Sequence, residues 1–107
     1  MNINIKAKKI TLTDEIKDYI QKKMDMLEKY LGDVPVIHCD FEVELSVGDQ
    51  NSGKIYRAEA NIDVPGELLR VDKTEEDLYK AIDKVKDHLD MIIKKYKGKK
   101  LSQKRRA

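Results

Sequence analysis

Residues 74–96 read TEEDLYKAIDKVKDHLDMIIKKY and decide how the rest of the chain can fold. Apolar side chains recur in this segment at steps of three and four residues, which is the spacing of one face of an α-helix. The segment therefore predicts a long amphipathic helix. The apolar face consists of Leu78, Ala81, Ile82, Val85, Leu89, Ile92, Ile93 and Tyr96.

Polar residues at both ends of this segment indicate where the helix begins and ends. Thr74 is a preferred N-cap residue, and Glu75, Glu76 and Asp77 would follow it at the positive end of the helix dipole. Lysines occupy the opposite end, and Gly98 is predicted to end the helix.

The outer side of the predicted helix carries both lysines and aspartates. Lys80, Lys84 and Lys95 share one flank, and Asp83 and Asp87 share another. This pattern fits a solvated face stabilised by pairs one turn apart, and it fits equally well a basic strip that leads into a cationic end.

The sequence before this segment predicts four strands and one further helix. Residues 2–8 alternate between apolar and polar side chains, and residues 37–47 alternate strictly, with Ile37, Cys39 and Phe41 on the inward face. Thr13 caps a helix that Gly32 ends. The sequence at residues 48–53 is typical of a hairpin turn, and it leads to a strand ending at Val64 and, after a Pro-Gly turn, to a short strand at 67–72.

The order of these elements predicts an α+β fold with the topology β-α-β-β-β-α. Each helix and each strand has one apolar face, so both helices should pack, roughly parallel to each other, on the same face of a four-stranded mixed sheet. The first two strands should be parallel, and the hairpins make the other pairs antiparallel. We expect a domain at residues 1–97 and a basic flexible tail, or the start of a linker, at 98–107.

Charge is distributed very unevenly along the chain. Residues 91–107 contain eight basic residues and no acidic one, whereas residues 1–90 contain 14 basic and 20 acidic residues. A concentrated cationic end indicates either a solubilising tail or a contact with a polyanion such as nucleic acid. A single cysteine and no apolar segment long enough for a bilayer predict a cytoplasmic protein with no membrane partner.

No residue pattern in the sequence predicts catalysis. Asp40, Glu42 and Glu44 share a strand face at intervals of about 7 Å, too far apart for one carboxylate pair to share a proton. His38 and Cys39 point to opposite faces, so zinc is not expected, and Cys39 is interpreted as a small core residue. We therefore predict a protein that is not an enzyme and that needs no cofactor, metal or small-molecule substrate.

Two segments resemble the ribosome hibernation promoting factor family, which includes the ribosome-associated inhibitor. One is TLTDEIKDYIQKKMDMLEKYL at residues 11–31, and the other combines EEDLYKAIDKV at 75–85 with IIKKYK at 92–97. The resemblance covers residues 1–97. It implies a fold similar to double-stranded RNA-binding domains and a non-catalytic bacterial protein of stationary phase or stress.

The same resemblance implies binding to the small ribosomal subunit, where the protein would contact 16S-type rRNA, occupy the channel of messenger and transfer RNA, and inhibit translation. His88 stands where members commonly carry a basic residue, Met91 stands where they commonly carry Arg, and Met26 stands where some carry a Lys-like residue. Lys86 and the additional lysines of the tail are expected to compensate. The predicted rRNA-binding residues are Lys22, Lys23, Lys29, Lys80, Lys84, Lys86, His88, Lys94, Lys95 and Lys97.

Some alternatives stay open at the level of sequence. The chain could be a short factor or the N-terminal domain of a longer one, and its basic end favours the second. In either case we expect a monomer that does not itself pair ribosomes. The alternative functions are a protein-interaction module that uses the exposed polar sheet face, and a generic binder of double-stranded RNA.

Overall fold

The computed structural model describes the backbone of residues 1–47 and 53–106 and the side chains of residues 1–46 and 53–102. Most of the predicted turn at residues 48–53 lies outside the described residues. The elements in chain order are β1 (Asn4–Lys8), α1 (Asp14–Asp25), α2 (Glu28–Leu31), β2 (His38–Val47), β3 (Lys54–Val64), β4 (Glu67–Glu75) and α3 (Leu78–Arg106).

The four strands form one mixed sheet in the order β1-β2-β3-β4. β1 runs parallel to β2, with Ile5 opposite Phe41. β2 and β3 are antiparallel, as are β3 and β4, and Ala60 of β3 lies between Phe41 of β2 and Val71 of β4. The predicted α+β fold and its strand directions are therefore confirmed.

The hydrophobic core lies between this sheet and the helices. Alternate residues of the central strands and the apolar face of α3 are buried together, as their periods of 2 and 3.6 residues require. Tyr96 is the last core residue of α3, and its hydroxyl donates a hydrogen bond to the carbonyl oxygen of Pro65 at 2.6 Å. The most fully buried large side chains are Ile20, Met24, Leu27, Phe41, Ile62, Leu69, Ile82, Leu89 and Ile93.

The predicted first helix consists of two helical segments. Thr13 is its N-cap as expected, and the Thr13 hydroxyl accepts a hydrogen bond from the Ile16 backbone N–H at 3.2 Å. After Asp25 the chain tightens, because the Leu27 N–H bonds to the carbonyl of Met24, three residues back. This turn brings Leu27 fully into the core before α2 begins.

α1 and α2 run parallel to α3 on the same side of the sheet. Tyr19 of α1 contacts Tyr79 and Asp83, near the beginning of α3. Tyr30 of α2 lies beneath Lys94, more than two turns later in α3. Because later residues of the first pair of helices meet later residues of α3, the predicted parallel arrangement is confirmed.

Both predicted ends of the long helix are wrong. Thr74 is not the N-cap, since β4 continues through Glu75 and pairs Thr74 with Arg57 of β3. The capping residue is Asp77, whose Oδ1 accepts hydrogen bonds from the N–H groups of Tyr79 at 2.8 Å and Lys80 at 3.2 Å. Gly98 does not end the helix, which continues to Arg106.

The position of the N-cap leads to a stability prediction. Replacing Asp77 with Ala should lower the free energy of unfolding by about 1 kcal/mol, because two N–H groups lose their acceptor. Thr74→Ala should cost less than about half of that, since the Thr74 side chain is exposed on an edge strand. Urea denaturation of both variants measures the difference, and a larger loss for Thr74→Ala would place the N-cap where the sequence predicted it.

Ile37 is also placed differently from the prediction. Strict alternation assigned it to the inward face, but β2 begins at His38 and 64% of Ile37 is exposed. Its N–H still bonds to the carbonyl of Asp63 at 2.8 Å. The backbone thus follows the sheet direction, but no helix covers the side chain at this end.

Candidate nucleic-acid interface

The basic residues predicted to bind RNA all lie on the helices, and therefore on one side of the sheet. They differ in side-chain exposure and in whether they form ion pairs within the protein. Within the described residues, Lys22, Lys29, Lys80, Lys95 and Lys97 are exposed and form no ion pair, whereas Lys23, Lys84, Lys86 and Lys94 each pair with a carboxylate.

A polar contact fixes α1 against the first half of α3. The Tyr19 hydroxyl donates a hydrogen bond to Asp83 Oδ1 at 2.6 Å, and the Tyr19 and Tyr79 rings pack edge to face with centroids 4.8 Å apart. The bond to Asp83, together with burial, raises the pKa of Tyr19 to about 12. Lys23 Nζ lies 3.3 Å from the carboxylate of Asp83, so the lysine charge is mainly neutralised by this ion pair within the protein.

Three lysines lie close together at the other end of the groove between the helices, near Tyr30. Lys29 Nζ lies 5.0 Å and Lys94 Nζ 4.6 Å from the centroid of the Tyr30 ring. Lys97 Nζ lies against Gly32, 3.3 Å from the position that a Cβ would take there. We call Lys29, Lys94 and Lys97 the Tyr30 cluster. Lys29 and Lys94 bring cations from two helices to one aromatic ring, and Lys97 lies against Gly32, two residues after Tyr30.

A neighbouring carboxylate stabilises the charge of one lysine of the Tyr30 cluster. The hydrogen-bonded carboxylate of Asp90, 3.0 Å away, holds the pKa of Lys94 above its ordinary value. Lys97 lies at the C-terminal end of α2, where the helix dipole favours a positive charge. An anion that approaches Tyr30 therefore meets ammonium groups of two helices that lie close together in the free protein.

Lys80, Lys84 and Lys95 form a second basic strip along the solvent side of α3. Lys84 is one turn from Lys80, and Lys95 projects within about 20° of Lys84 around the helix axis. Lys84 pairs with Glu75 of β4, and Met91 is exposed beside the strip. The ion pair between Lys94 and Asp90, one turn apart, is of the kind that the sequence predicted, and a binding role for the basic strip stays a prediction.

Two of the predicted residues are not presented with the others. The Lys86 side chain is only 13% exposed and lies 3.5 Å from the carboxylate of Asp87. His88 is half-buried, and its Nδ1 has no hydrogen-bond partner within the described part of the chain. An RNA-binding role for Lys86 and His88 stays a prediction, and their geometry makes them the weakest members of the set.

The sequence did not indicate that Tyr30 meets lysines of two helices, or that the long helix continues beyond Gly98. Tyr30 is half-buried, and two ammonium groups lie over its ring. Lys99 and Lys100 were assigned to a tail, but they lie on α3. The sequence signal for a lysine contact of Tyr30 is the adjacent Lys29. The second lysine over the ring, Lys94 of α3, is 64 residues away in sequence.

The opposite face of the sheet has a different electrostatic character. The strand register brings six carboxylates together with four basic side chains there, and several pair with one another. Arg57 binds both Glu59 and Asp72, and Arg70 lies 2.9 Å from Glu59. Burial alone would raise the pKa of Glu59, but hydrogen bonds from Asn61 and Arg57 and the charge of Arg70 hold it below its ordinary value.

The described residues contain no group of three or more side chains that could hold a metal ion. Asp40 accepts a hydrogen bond from Asn4, whereas Glu42 pairs with Lys8. Cys39 is buried in the core, where burial raises the pKa of its thiol to about 11. No helix in the described ranges has the length and apolar character needed to cross a membrane.

Comparison with known proteins gives relatives over nearly the whole domain. The chain is 28% identical over 100 residues to the ribosome hibernation promotion factor of Deinococcus radiodurans, and the matched region covers 92% of this chain and 50% of that protein. It is 32% identical over 97 residues to the factor of the same name from Staphylococcus aureus, covering 91% and 48%. The chain thus spans about half the length of these curated relatives.

Solved structures share the fold. The crystal structure of the Thermus thermophilus Protein Y N-terminal domain has a TM-score of 0.71 and 35% identity, with coverage of 90% of this chain and 99% of that chain. A ribosomal subunit interface protein from Coxiella burnetii also gives a TM-score of 0.71, with coverage of 92% and 99%; at 16% identity it supports the fold alone.

The family model described as "Sigma 54 modulation protein / S30EA ribosomal protein" matches residues 3–101. That range contains all four strands, α1, α2, α3 as far as residue 101, and the whole Tyr30 cluster. This chain belongs to the Sigma 54 modulation protein / S30EA ribosomal protein family.

Proposed function

We propose that this domain binds the small ribosomal subunit through its helices and inhibits translation without catalysis. In this proposal it occupies the channel of messenger and transfer RNA in stationary phase or under stress. Family membership supports ribosome association, and the names of the relatives support hibernation. The observation that carries the proposal is the convergence of exposed lysines from two parallel helices on one side of the sheet.

The distribution of charge favours the helices as the RNA-binding side. α3 carries eleven basic and three acidic residues, and all three acidic ones lie in its first half. Lysine ammonium groups that contact phosphates release counterions, which supplies affinity without reading sequence. The opposite sheet face presents more carboxylates than cations, so a phosphate backbone would be repelled there.

Two alternatives fit the observations less well. A protein-interaction module on the sheet face would need free polar groups, but the central ones, Arg57, Glu59 and Arg70, already bind one another. A generic binder of double-stranded RNA would hold arbitrary duplexes as tightly as it holds subunits. Competition between purified small subunits and an unrelated RNA duplex separates that alternative from the proposal.

Cosedimentation with purified small subunits at several salt concentrations tests the proposed function. We expect binding at low salt and an affinity that falls on the order of a hundredfold between 50 and 200 mM salt, as several phosphate contacts require. Translation in vitro should stop at saturating protein. No cosedimentation at any salt concentration, or undisturbed translation at saturation, would refute the proposal.

A further inference from the structure

The last part of α3 extends beyond the domain that the rest of the chain forms. Tyr96 is the last buried residue among the described side chains of α3, since those from Lys97 to Ser102 are all exposed. The helix nevertheless continues to Arg106, and the molecule is 55 Å long but only 27 and 18 Å across. We call residues 98–106 the α3 arm.

The direction of the α3 arm is set by two contacts with the turn between β3 and β4. Lys99 Nζ lies 3.6 Å from Glu67, and Lys100 Nζ lies 3.2 Å from the position that a Cβ would take on Gly66. Lys100 also lies over the Tyr96 ring, 5.6 Å from its centroid. These contacts continue the line of α3 rather than folding the arm back over the sheet.

The composition of the α3 arm favours binding to an anionic partner. Its nine residues include five basic residues and no acidic one. Lysines three and four positions apart repel each other on a helix, and within the arm no carboxylate offsets that repulsion. A phosphate backbone would neutralise these charges and would favour the helical form of the arm.

We propose that the α3 arm is a second RNA-contact surface, which binds the phosphate backbone of a stretch of ribosomal RNA outside the site of the helical groove. The inference rests on the proposed function, since the same particle supplies both stretches of RNA. The arm continues the axis that carries Lys94 and Lys97, so the two surfaces follow one another along α3.

Gly98 lies at the joint between the domain and the α3 arm. No heavy atom lies within 4 Å of the position that a Cβ would take there, so the glycine is not required by close packing. Glycine weakens a helix relative to alanine, and here it does so where the core contacts end. Gly98 would therefore make the helical form of the arm less stable in the free protein, and bound RNA would stabilise it.

Neutralising the α3 arm tests the proposal in the full chain. Compared with the unmodified chain, the triple variant Lys104→Gln, Arg105→Gln, Arg106→Gln should bind small subunits about tenfold more weakly. Its slope of log affinity against log salt should be shallower by about 2, as expected when two to three phosphate contacts are lost. The control variant, with the same change in charge, is Lys6→Gln, Lys8→Gln, Lys54→Gln, for which affinity and slope should stay unchanged.

The possible outcomes separate the two proposals. If the unmodified chain fails to bind subunits, both the proposed function and the arm are refuted. If the chain binds and the arm variant matches it in affinity and slope, only the arm is refuted. The arm is also refuted if the variant loses affinity for intact subunits but not for protein-free subunit RNA, because an acidic protein would then be the partner.

Gly98→Ala tests the helical form of the bound arm. It should leave affinity equal or raise it by up to about fivefold, the equivalent of the difference in helix propensity between glycine and alanine. Weaker binding by Gly98→Ala would overturn the proposal that the arm binds RNA as a continuation of α3.

Discussion

The double variant Lys29→Glu, Lys94→Glu should bind small ribosomal subunits on the order of a hundredfold more weakly than the unmodified chain. Both ammonium groups lie over the Tyr30 ring, so the change replaces two converging cations with two carboxylates at one end of the groove. Two favourable phosphate contacts are lost and two repulsive ones take their place. Cosedimentation or a filter-binding titration at fixed salt gives the two dissociation constants.

The opposite sheet face offers a matched control for this variant. Lys6→Glu, Lys8→Glu produces the same change in net charge on β1. One lysine of each pair forms an ion pair in the protein, since Lys8 lies 3.2 Å from Glu42 as Lys94 lies 3.0 Å from Asp90. We expect the control to keep its affinity within about threefold, because long-range charge is screened at physiological salt.

The comparison distinguishes position from net charge. Equal losses in the two variants would mean that overall charge, rather than the Tyr30 cluster, governs binding. Wild-type affinity in a folded Tyr30 cluster variant would place the site elsewhere. The neutral variant Lys29→Gln, Lys94→Gln serves if the carboxylates disturb α2, and it should still lose on the order of tenfold.

Phe41→Ala should produce the largest loss of stability among single core substitutions. The ring is 1% exposed and lies on β2 between Ile5 of β1 and Ala60 of β3. Because Ala60 is small and the surrounding sheet is hydrogen-bonded on both sides, the site can collapse only partly around a missing ring. We expect the free energy of unfolding to fall by about 3–5 kcal/mol, a large share of the roughly 5–15 kcal/mol typical of a domain.

Ile37→Ala is the matched control for the loss of an apolar side chain next to the same strand. The structure leaves Ile37 mostly exposed, so the variant should change stability by less than about 0.5 kcal/mol. Urea denaturation of both proteins gives the comparison. Similar losses in the two variants would support the inward position that alternation predicted for Ile37. Phe41→Leu, with a smaller expected loss, keeps the measurement possible if the alanine variant does not fold.

The sequence was sufficient to predict an element wherever the local residue pattern and the packing of the folded protein favour the same structure. The apolar face of α3 repeats over more than four turns, so no other element could bury Leu78, Ile82 and Leu89 together. Alternation gave the faces of β2 and β3, and element order gave the strand directions. The motifs of the two helices were specific enough to indicate the family.

Only the tertiary structure decided where elements end and which side chains meet. Thr74 is a good N-cap by residue type, but pairing with β3 holds it in a strand, and the cap moves to Asp77. Gly98 is a good helix stop, yet the helix continues past it. Likewise, alternation places Ile37 on the inward side of the sheet without showing whether a helix covers it. The Tyr30 cluster brings together lysines far apart in sequence, a contact that only the packing of two helices can create.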